Sequence, residues 1–278
     1  YGNTSAPVAA LFAIMTKVGL YSILRVFGLL ADAESSPLHA WLFDALIPVA
    51  LATLLLATFG AIASTRLRQQ IAYLVIASAG MLLLSFSIET VETRAAGLYY
   101  LWQSSFATAA AFLLADLIRR ARGDHADRFE AGPMMERGVL LGSLFFVLAI
   151  ALVGLPPLAG FLAKFMLLQA VTEHPQVGWI WSVVLTSGVI TLIALARSGS
   201  LLFYRAEGPV RGAHERVTAF GLAPIAGLVL LIVLMVLAAG PLSNYALHAA
   251  AQASDARIYQ DAVLLHKPVG SVSAEGAP

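Results

Sequence analysis

The residues 154–165, GLPPLAGFLAKF, constrain the fold of this chain more than any other stretch. They lie within a long apolar run, 138–171, in which Pro156 and Pro157 stand side by side. Proline lacks a backbone N–H and clashes with the preceding turn, so a continuous helix is expected to break there. A straight helix over the run would be roughly 50 Å long, against about 30 Å for the bilayer core. Prolines and length together predict two half-helices.

Lys164 follows this break and is surrounded in sequence by apolar residues. A lysine at the bilayer centre costs about 2.5–3.5 kcal/mol on insertion scales. Irregular backbone at that depth persists only where protein packs around it or where it lines a wet cavity. Broken helices that carry charge are typical of transporters. We therefore interpret Lys164 as functional and Gly154, Pro156, Pro157 and Gly160 as the helix break.

The composition places the rest of the chain in a membrane. Of its 278 residues, 59% are hydrophobic and 12% are charged, whereas soluble domains carry about 25% charged residues. The fold class predicted is an all-α polytopic membrane protein. The chain has no cysteine, which excludes disulfides and thiolate metal sites. Its histidines are not spaced as metal ligands, and it shows no catalytic triad or phosphate-binding loop. We expect no metal, no cofactor and no nucleic acid partner.

Seven transmembrane spans are predicted from apolar runs of about 20 residues. They cover residues 6–30, 42–63, 70–88, 95–118, 138–171 with the break at 156–157, 179–204 and 217–239. The transmembrane domain is predicted to end at residue 248, and 249–278 to form an extracytoplasmic tail. The chain begins with Tyr1 rather than Met, so we expect a fragment of a longer protein.

Basic residues are concentrated in alternate loops, 66–68, 119–137 and 205–216. The positive-inside rule places these loops in the cytoplasm. The N-terminus is then cytoplasmic, and the segment that follows the last span lies outside. Every loop agrees with this topology.

The other polar residues within the spans allow two interpretations. Lys17 lies near the middle of the first span; it is either a structural lysine paired with oxygens or a proton carrier, since a desolvated lysine can exchange protons near neutral pH. Gln103, Ser104 and Ser105 either line a proton path or form ordinary interhelical hydrogen bonds. Arg25 either contributes to the path or snorkels to the interface.

Two charged groups nearer the span ends have simpler interpretations. Asp116 is followed within one turn by Arg119 and Arg120, which favours a local ion pair at the cytoplasmic interface over a role in transport. Arg197 is expected to snorkel.

Several stretches resemble a known superfamily. GLPPLAGFLAKF resembles the broken twelfth helix, and FAIMTKVGLYSILRVF the eighth helix, of the antiporter-like subunits shared by respiratory complex I and Mrp-type multisubunit cation/proton antiporters. RLRQQIAYLVIASAG, LYYLWQSSFATAAAFLLADLI and the tail DARIYQDAVL resemble the D-type subunit of Mrp antiporters. The resemblance covers nearly the whole chain.

The resemblance implies a fourteen-helix fold built of two inverted five-helix bundles, of which this chain would hold helices eight to fourteen. Lys17 matches the family's central lysine, and Lys164 the terminal lysine of the exit half-channel. The family's fifth-helix glutamate and seventh-helix lysine have no counterpart here. Family members usually carry histidine where this chain has Gln103, and glutamine does not titrate. The relay at that position would therefore work through water or through the amide.

We expect from this resemblance a membrane subunit of a Na⁺(K⁺)/H⁺ antiporter in a bacterial inner membrane, not an enzyme, with the other Mrp subunits as partners. One alternative is a proton-pumping subunit of a complex I or membrane hydrogenase relative. A second is a structural subunit without conduction of its own.

Overall fold

The computed structural model describes residues 4–30, 37–205 and 218–254. Tyr1, the linker at 31–36, nearly all of the basic loop at 205–216 and the tail from 255 onward lie outside the described residues. The predictions made for them, including most of the extracytoplasmic tail, stay predictions. The domain boundary predicted at 248 lies among the described residues and also stays a prediction.

Within the described ranges the chain forms a helical bundle. Its α-helices are α1 (Ala6–Leu30), α2 (Pro37–Ala63), α3 (Leu67–Ser87), α4 (Val91–Arg122), α5 (Gly138–Val153), α6 (Ala159–Ala170), α7 (Val177–Gly199), α8 (Ala219–Leu237) and α9 (Ala239–Ser254). A 3₁₀ turn (Gly123–His125) follows α4, and a π turn (Ser200–Tyr204) extends α7.

Six of these helices, α1, α2, α3, α4, α7 and α8, are long and apolar enough to cross a membrane. The shorter apolar helices α5 and α6 together occupy the predicted broken span. The fold class is therefore confirmed as an all-α polytopic membrane protein, with one span broken at the paired prolines.

The predicted fourth span, 95–118, is shorter than α4, which includes polar residues at both ends. Thr90 caps the helix by accepting a hydrogen bond from the Thr93 amide (3.2 Å), so Glu92 and Arg94 lie in its first turns. Arg119 and the arginines after it form its last turn. Acidic residues at a helix start and basic residues at its end are favoured by the helix dipole, which explains why α4 extends past the apolar run.

A helix also follows the last predicted span, where none was expected. α9 begins directly after α8 and packs against α4. Ala246 and Ala250, one turn apart, are buried against Leu82 and Leu98. The other face of α9 is exposed and includes Tyr245. Because its polar and apolar residues are mixed, α9 lacks the continuous apolar run by which spans are recognised.

The centre of the bundle is α4, which contacts α1, α3, α5, α6, α8 and α9. Much of its buried surface consists of alanine and glycine, and small residues let membrane helices approach closely. At Gly97 an added Cβ would overlap the Ser85 hydroxyl of α3. This close packing places the middle of α4, with Gln103 and Thr108, between α1 and the broken span.

Candidate functional site

The break begins at Gly154, which ends α5 in a left-handed conformation (φ 77°). The amides of Gly154 and Leu155 both donate to the Ile150 carbonyl, at 3.0 and 3.1 Å. The peptide between Pro156 and Pro157 is cis, and α6 begins at Ala159. The helix therefore breaks where the paired prolines predict.

The prolines also determine which carbonyls lose their helical partners. In a continuous helix the amides of residues 156 and 157 would donate to the carbonyls of Leu152 and Val153, but proline has no N–H to give. The Lys164 ammonium instead donates to the Val153 carbonyl at 2.6 Å. From α4, the Gln103 side-chain amide donates to the Ala151 carbonyl at 2.9 Å. Side chains from two other helices thus replace main-chain donors at the end of α5.

Two glycines make this arrangement possible. A Cβ at Gly154 would lie 2.9 Å from the Lys164 Cδ atom, in a backbone conformation that favours glycine. A Cβ at Gly160 would lie 2.5 Å from the Ala151 carbonyl oxygen and 3.1 Å from Gln103 Nε2. Both residues predicted as part of the break are therefore needed for the lysine and the glutamine to reach it.

The second intramembrane lysine is fully buried in α1. Lys17 is 1% exposed, and its ammonium lies 3.5 Å from the Thr108 hydroxyl of α4. Thr108 donates its own hydroxyl proton to the Ser104 carbonyl at 2.6 Å, so it can accept from the lysine.

A cavity of about 30 Å³ lies among α2, α3, α4, α7 and the broken span. One water molecule needs a cavity of roughly 10–15 Å³ and polar groups to which it can hydrogen-bond. The wall supplies those partners. Its lining residues are Leu54, Thr58, Leu74, Ala77, Ser78, Met81, Tyr100, Gln103, Ser104, Thr108, Leu152, Lys164, Ser187 and Thr191. Lys164 lines the cavity directly, and Lys17 reaches its wall through Thr108.

The predicted site residues are only partly brought together. Gln103 and Ser104 lie in the cavity wall with Lys164. Ser105 is not among the lining residues, and its hydroxyl donates to the Leu101 carbonyl of its own helix at 2.6 Å. Arg25 is half-buried on α1, about two turns beyond Lys17, and also lies outside the lining.

Sequence reasoning missed most of the hydroxyl groups of the wall, namely Thr58, Ser78, Thr108, Ser187 and Thr191. One signal was available. Ser187 and Thr191 are polar residues four apart in a mostly apolar helix, and residues at that spacing share one helix face.

Asp116 has the predicted local partners and one more. It accepts from Arg119 (3.0 Å) and Arg120 (2.8 Å) and, across the bundle, from the buried side chain of Arg68 on α3 at 2.6 Å. Arg68 also donates to the Thr4 carbonyl at 3.1 Å. The Arg68–Asp116 pair therefore joins α3, α4 and the segment just before α1 near the C-terminal end of α4.

A family model described as the transmembrane region of NADH:quinone oxidoreductases and Mrp antiporters matches residues 1–192. The chain belongs to this family. The D-type subunit of the Na⁺/H⁺ antiporter of Alkalihalophilus pseudofirmus is 30% identical over 268 residues, which cover 95% of this chain and 52% of that protein. The resemblance stated from the sequence is confirmed.

Two solved structures show the same fold. A chain of the membrane-bound sulfane sulfur reductase, an archaeal respiratory membrane complex, matches with a TM-score of 0.80 at 21% identity, over 92% of this chain and 51% of that one. A chain of the Mrp complex from Dietzia sp. DQ12-45-1b matches with a TM-score of 0.78 at 23% identity, over 94% and 56%. This chain spans about half the length of the curated relatives it matches.

Proposed function

We propose that this chain forms part of a subunit of a multisubunit monovalent cation (Na⁺ or K⁺)/proton antiporter, and that protons pass between Lys17 and Lys164 through water in the central cavity. The observation that carries the proposal is the cavity itself. Lys164 lies in its wall, and the hydroxyl that meets Lys17 lies in the same wall. The similarity to the D-type subunit of an antiporter over nearly the whole chain supports the same activity.

In this mechanism each lysine holds a proton in turn. Two ammonium groups beside one small cavity repel each other, so protonation of one favours release from the other. Thr108 accepts from Lys17 on one side, and the Val153 carbonyl accepts from Lys164 on the other. Water between them supplies the remaining links. Gln103 holds the end of α5 in place rather than titrating, because its amide is bonded to the Ala151 carbonyl.

The cellular setting is part of the same proposal. The protein would lie in a bacterial inner membrane with the basic loops in the cytoplasm and the tail outside, since positive loops are retained on the cytoplasmic side. Its partners would be the other subunits of an Mrp-type complex, and it would act as a transporter subunit without a cofactor.

A second candidate function is a proton-pumping subunit of a redox-driven complex. The structural likeness to an archaeal respiratory complex favours it at the level of the fold. The same lysines and cavity would serve, but the driving reaction would take place in another subunit. A purely structural subunit is less well supported, because it gives no reason for two lysines within the membrane spans.

The test is cation-dependent proton exchange in everted membrane vesicles that carry the full-length subunit and its co-expressed partners. Wild type is expected to exchange Na⁺ or K⁺ for H⁺ without an electron donor, and Lys164→Ala is expected to assemble but not to exchange. Gln169→Ala is a matched control, since this polar residue is exposed on the same helix. Exchange at the wild-type rate by assembled Lys164→Ala would refute the role of the lysine. Proton transport only after addition of an electron donor would favour the redox-driven pump.

A further inference from the structure

The hydroxyl groups in the cavity wall share one hydrogen-bonding pattern. Each donates its proton to a main-chain carbonyl three or four residues earlier in its own helix. The donors are Thr58, Ser78, Ser104, Thr108, Ser187 and Thr191, with donor–acceptor distances between 2.6 and 3.3 Å. A hydroxyl has one proton to give and two lone pairs. With the proton committed to the helix, what each group can offer the cavity is an acceptor oxygen.

Thr108 shows the consequence directly. Its hydroxyl donates to the Ser104 carbonyl and at the same time faces the Lys17 ammonium at 3.5 Å. Two other polar side chains of the wall each direct an N–H at the backbone of α5. Gln103 directs its amide N–H at the Ala151 carbonyl, and Lys164 directs its ammonium at the Val153 carbonyl. Tyr100 adds one phenol, which can both donate and accept.

The end of α5 adds further oxygens of the same kind. Leu152 lines the cavity, and its carbonyl has no main-chain donor because residue 156 is proline. The Val153 carbonyl is held only by the lysine side chain among the hydrogen bonds of the described residues. The C-terminal end of a helix carries partial negative charge, and exposed carbonyls at such ends coordinate cations in transporters with broken helices. Hydroxyl oxygens and the end of α5 therefore border a cavity of about 30 Å³, which exceeds the roughly 10–15 Å³ that one water needs.

We propose that this cavity is a binding site for a dehydrated or partly hydrated monovalent metal cation, and that the metal ion and the Lys164 ammonium compete for it. The inference rests on the proposed function and names where the metal ion of the exchange would bind. When Lys164 carries a proton, its ammonium occupies the carbonyl end of α5. When that proton leaves to water, the lysine becomes neutral and the same oxygens can hold one metal ion. One positive charge replaces another, so proton and metal ion exchange at a single site.

The groups that titrate near this site are few. Among the described lining residues, only Lys164 and Tyr100 are titratable, and Lys17 joins through Thr108. The helices α5 and α8, which pack against α6, carry no titratable side chain, and α4 contributes Tyr100 to the wall. Competition between protons and metal ions should therefore depend on Lys164, and a Lys17→Met variant separates any contribution of the second lysine.

The experiment measures equilibrium binding of ²²Na⁺ and ⁸⁶Rb⁺ to the purified multisubunit complex in lipid nanodiscs, as a function of pH. Thr191→Val removes one wall oxygen with little change of shape and should weaken binding about tenfold or more. Thr191→Ser keeps the oxygen and should bind nearly as wild type does. Thr186→Val, on the exposed face of the same helix, is the matched control and should bind like wild type.

The pH series tests the competition. Wild type is expected to bind the metal ion more tightly as pH rises, because protons leave the competing lysine. Lys164→Met should bind with a pH dependence that is flattened, whereas Lys17→Met should retain it. Binding by assembled Thr191→Val equal to wild type, or wild-type binding independent of pH, would overturn the proposal. If the complex still exchanges cations in vesicles, the metal ion then binds elsewhere and the proposed function survives. If exchange is absent as well, both fail.

Discussion

Replacing Gly160 by alanine tests whether the contact between α6 and the end of α5 is as close as the structure shows. The added Cβ would stand 2.5 Å from the Ala151 carbonyl oxygen. Ordinary van der Waals contact begins at 3.4 Å, so the two helices must separate by close to 1 Å or the carbonyl must rotate. The neighbouring atom is main chain, which cannot move aside like the end of a flexible side chain.

The destabilisation has two parts. Overpacking of a well-packed contact costs about 1–3 kcal/mol. The same Cβ lies 3.1 Å from Gln103 Nε2, so the hydrogen bond to Ala151 is lost or stretched, which costs a further ~1–3 kcal/mol for a buried acceptor left without its donor. We therefore expect the free energy of unfolding of Gly160→Ala to fall by about 2–6 kcal/mol, together with the rate of cation/proton exchange.

The assay is SDS-induced unfolding of the full-length subunit in mixed micelles, followed by tryptophan fluorescence. Gly188→Ala on α7 is the matched control, because nothing lies within 4 Å of an added Cβ there. That substitution should be neutral or stabilise by up to about 1 kcal/mol, since alanine favours the helix over glycine. A Gly160→Ala variant within about 0.5 kcal/mol of wild type, with exchange intact, would show that the close contact does not exist.

Two further predictions use matched pairs of side chains in the same unfolding assay. Arg68→Ala should lower the free energy of unfolding by about 1.5–3 kcal/mol, because it removes a buried hydrogen bond between charged groups. Arg119→Ala removes an exposed partner of the same carboxylate and should cost less than about 1 kcal/mol. Equal effects would contradict the buried position of Arg68. Tyr99→Phe should cost about 0.6 kcal/mol, and at most about 1.7, because it removes a buried hydrogen bond of 2.9 Å to a main-chain carbonyl of α8. The control is Tyr204→Phe, whose side chain is exposed and which should have no effect. A loss in the control as large as that of Tyr99→Phe would refute the role of the Tyr99 hydrogen bond.

The features that sequence predicted correctly are local ones. Seven apolar runs predicted the membrane bundle because the length of each span is set by the bilayer. The break at 156–157 followed from the chemistry of proline alone. Lys17 and Lys164 stood out because the energetic cost of each can be judged without knowing its neighbours.

The features that sequence missed depend on contacts between distant parts of the chain. Gln103 reaches a carbonyl 48 residues away, and nothing in its neighbourhood indicates that acceptor. Asp116 already had two arginines within a turn, so the sequence offered no reason to look for Arg68. The wall hydroxyls belong to several helices, and which face of each helix turns inward is decided by packing around α4. Apolar membrane helices give little pattern from which to read that face.

The carbonyls that need a donor at the end of α5 can be predicted from the sequence alone. A proline at position i cannot donate a hydrogen bond to the carbonyl at i−4. Pro156 and Pro157 therefore predict that the carbonyls of Leu152 and Val153 lack a helical donor. Each unsatisfied carbonyl at bilayer depth costs several kcal/mol, so donors must be supplied. Lys164 is the first side chain after the break with an N–H to give.

The paired prolines and the lysine therefore act together. The prolines expose carbonyl oxygens, and those oxygens require a positive group or a donor to face them. Lys164 supplies it at 2.6 Å as long as it carries a proton. When the proton leaves, the lysine becomes neutral. The carbonyl oxygens still require a donor or a cation, so water or a metal ion must replace the ammonium. A site that holds positive charge by its backbone, and whose resident charge depends on a removable proton, is suited to exchange one cation for another.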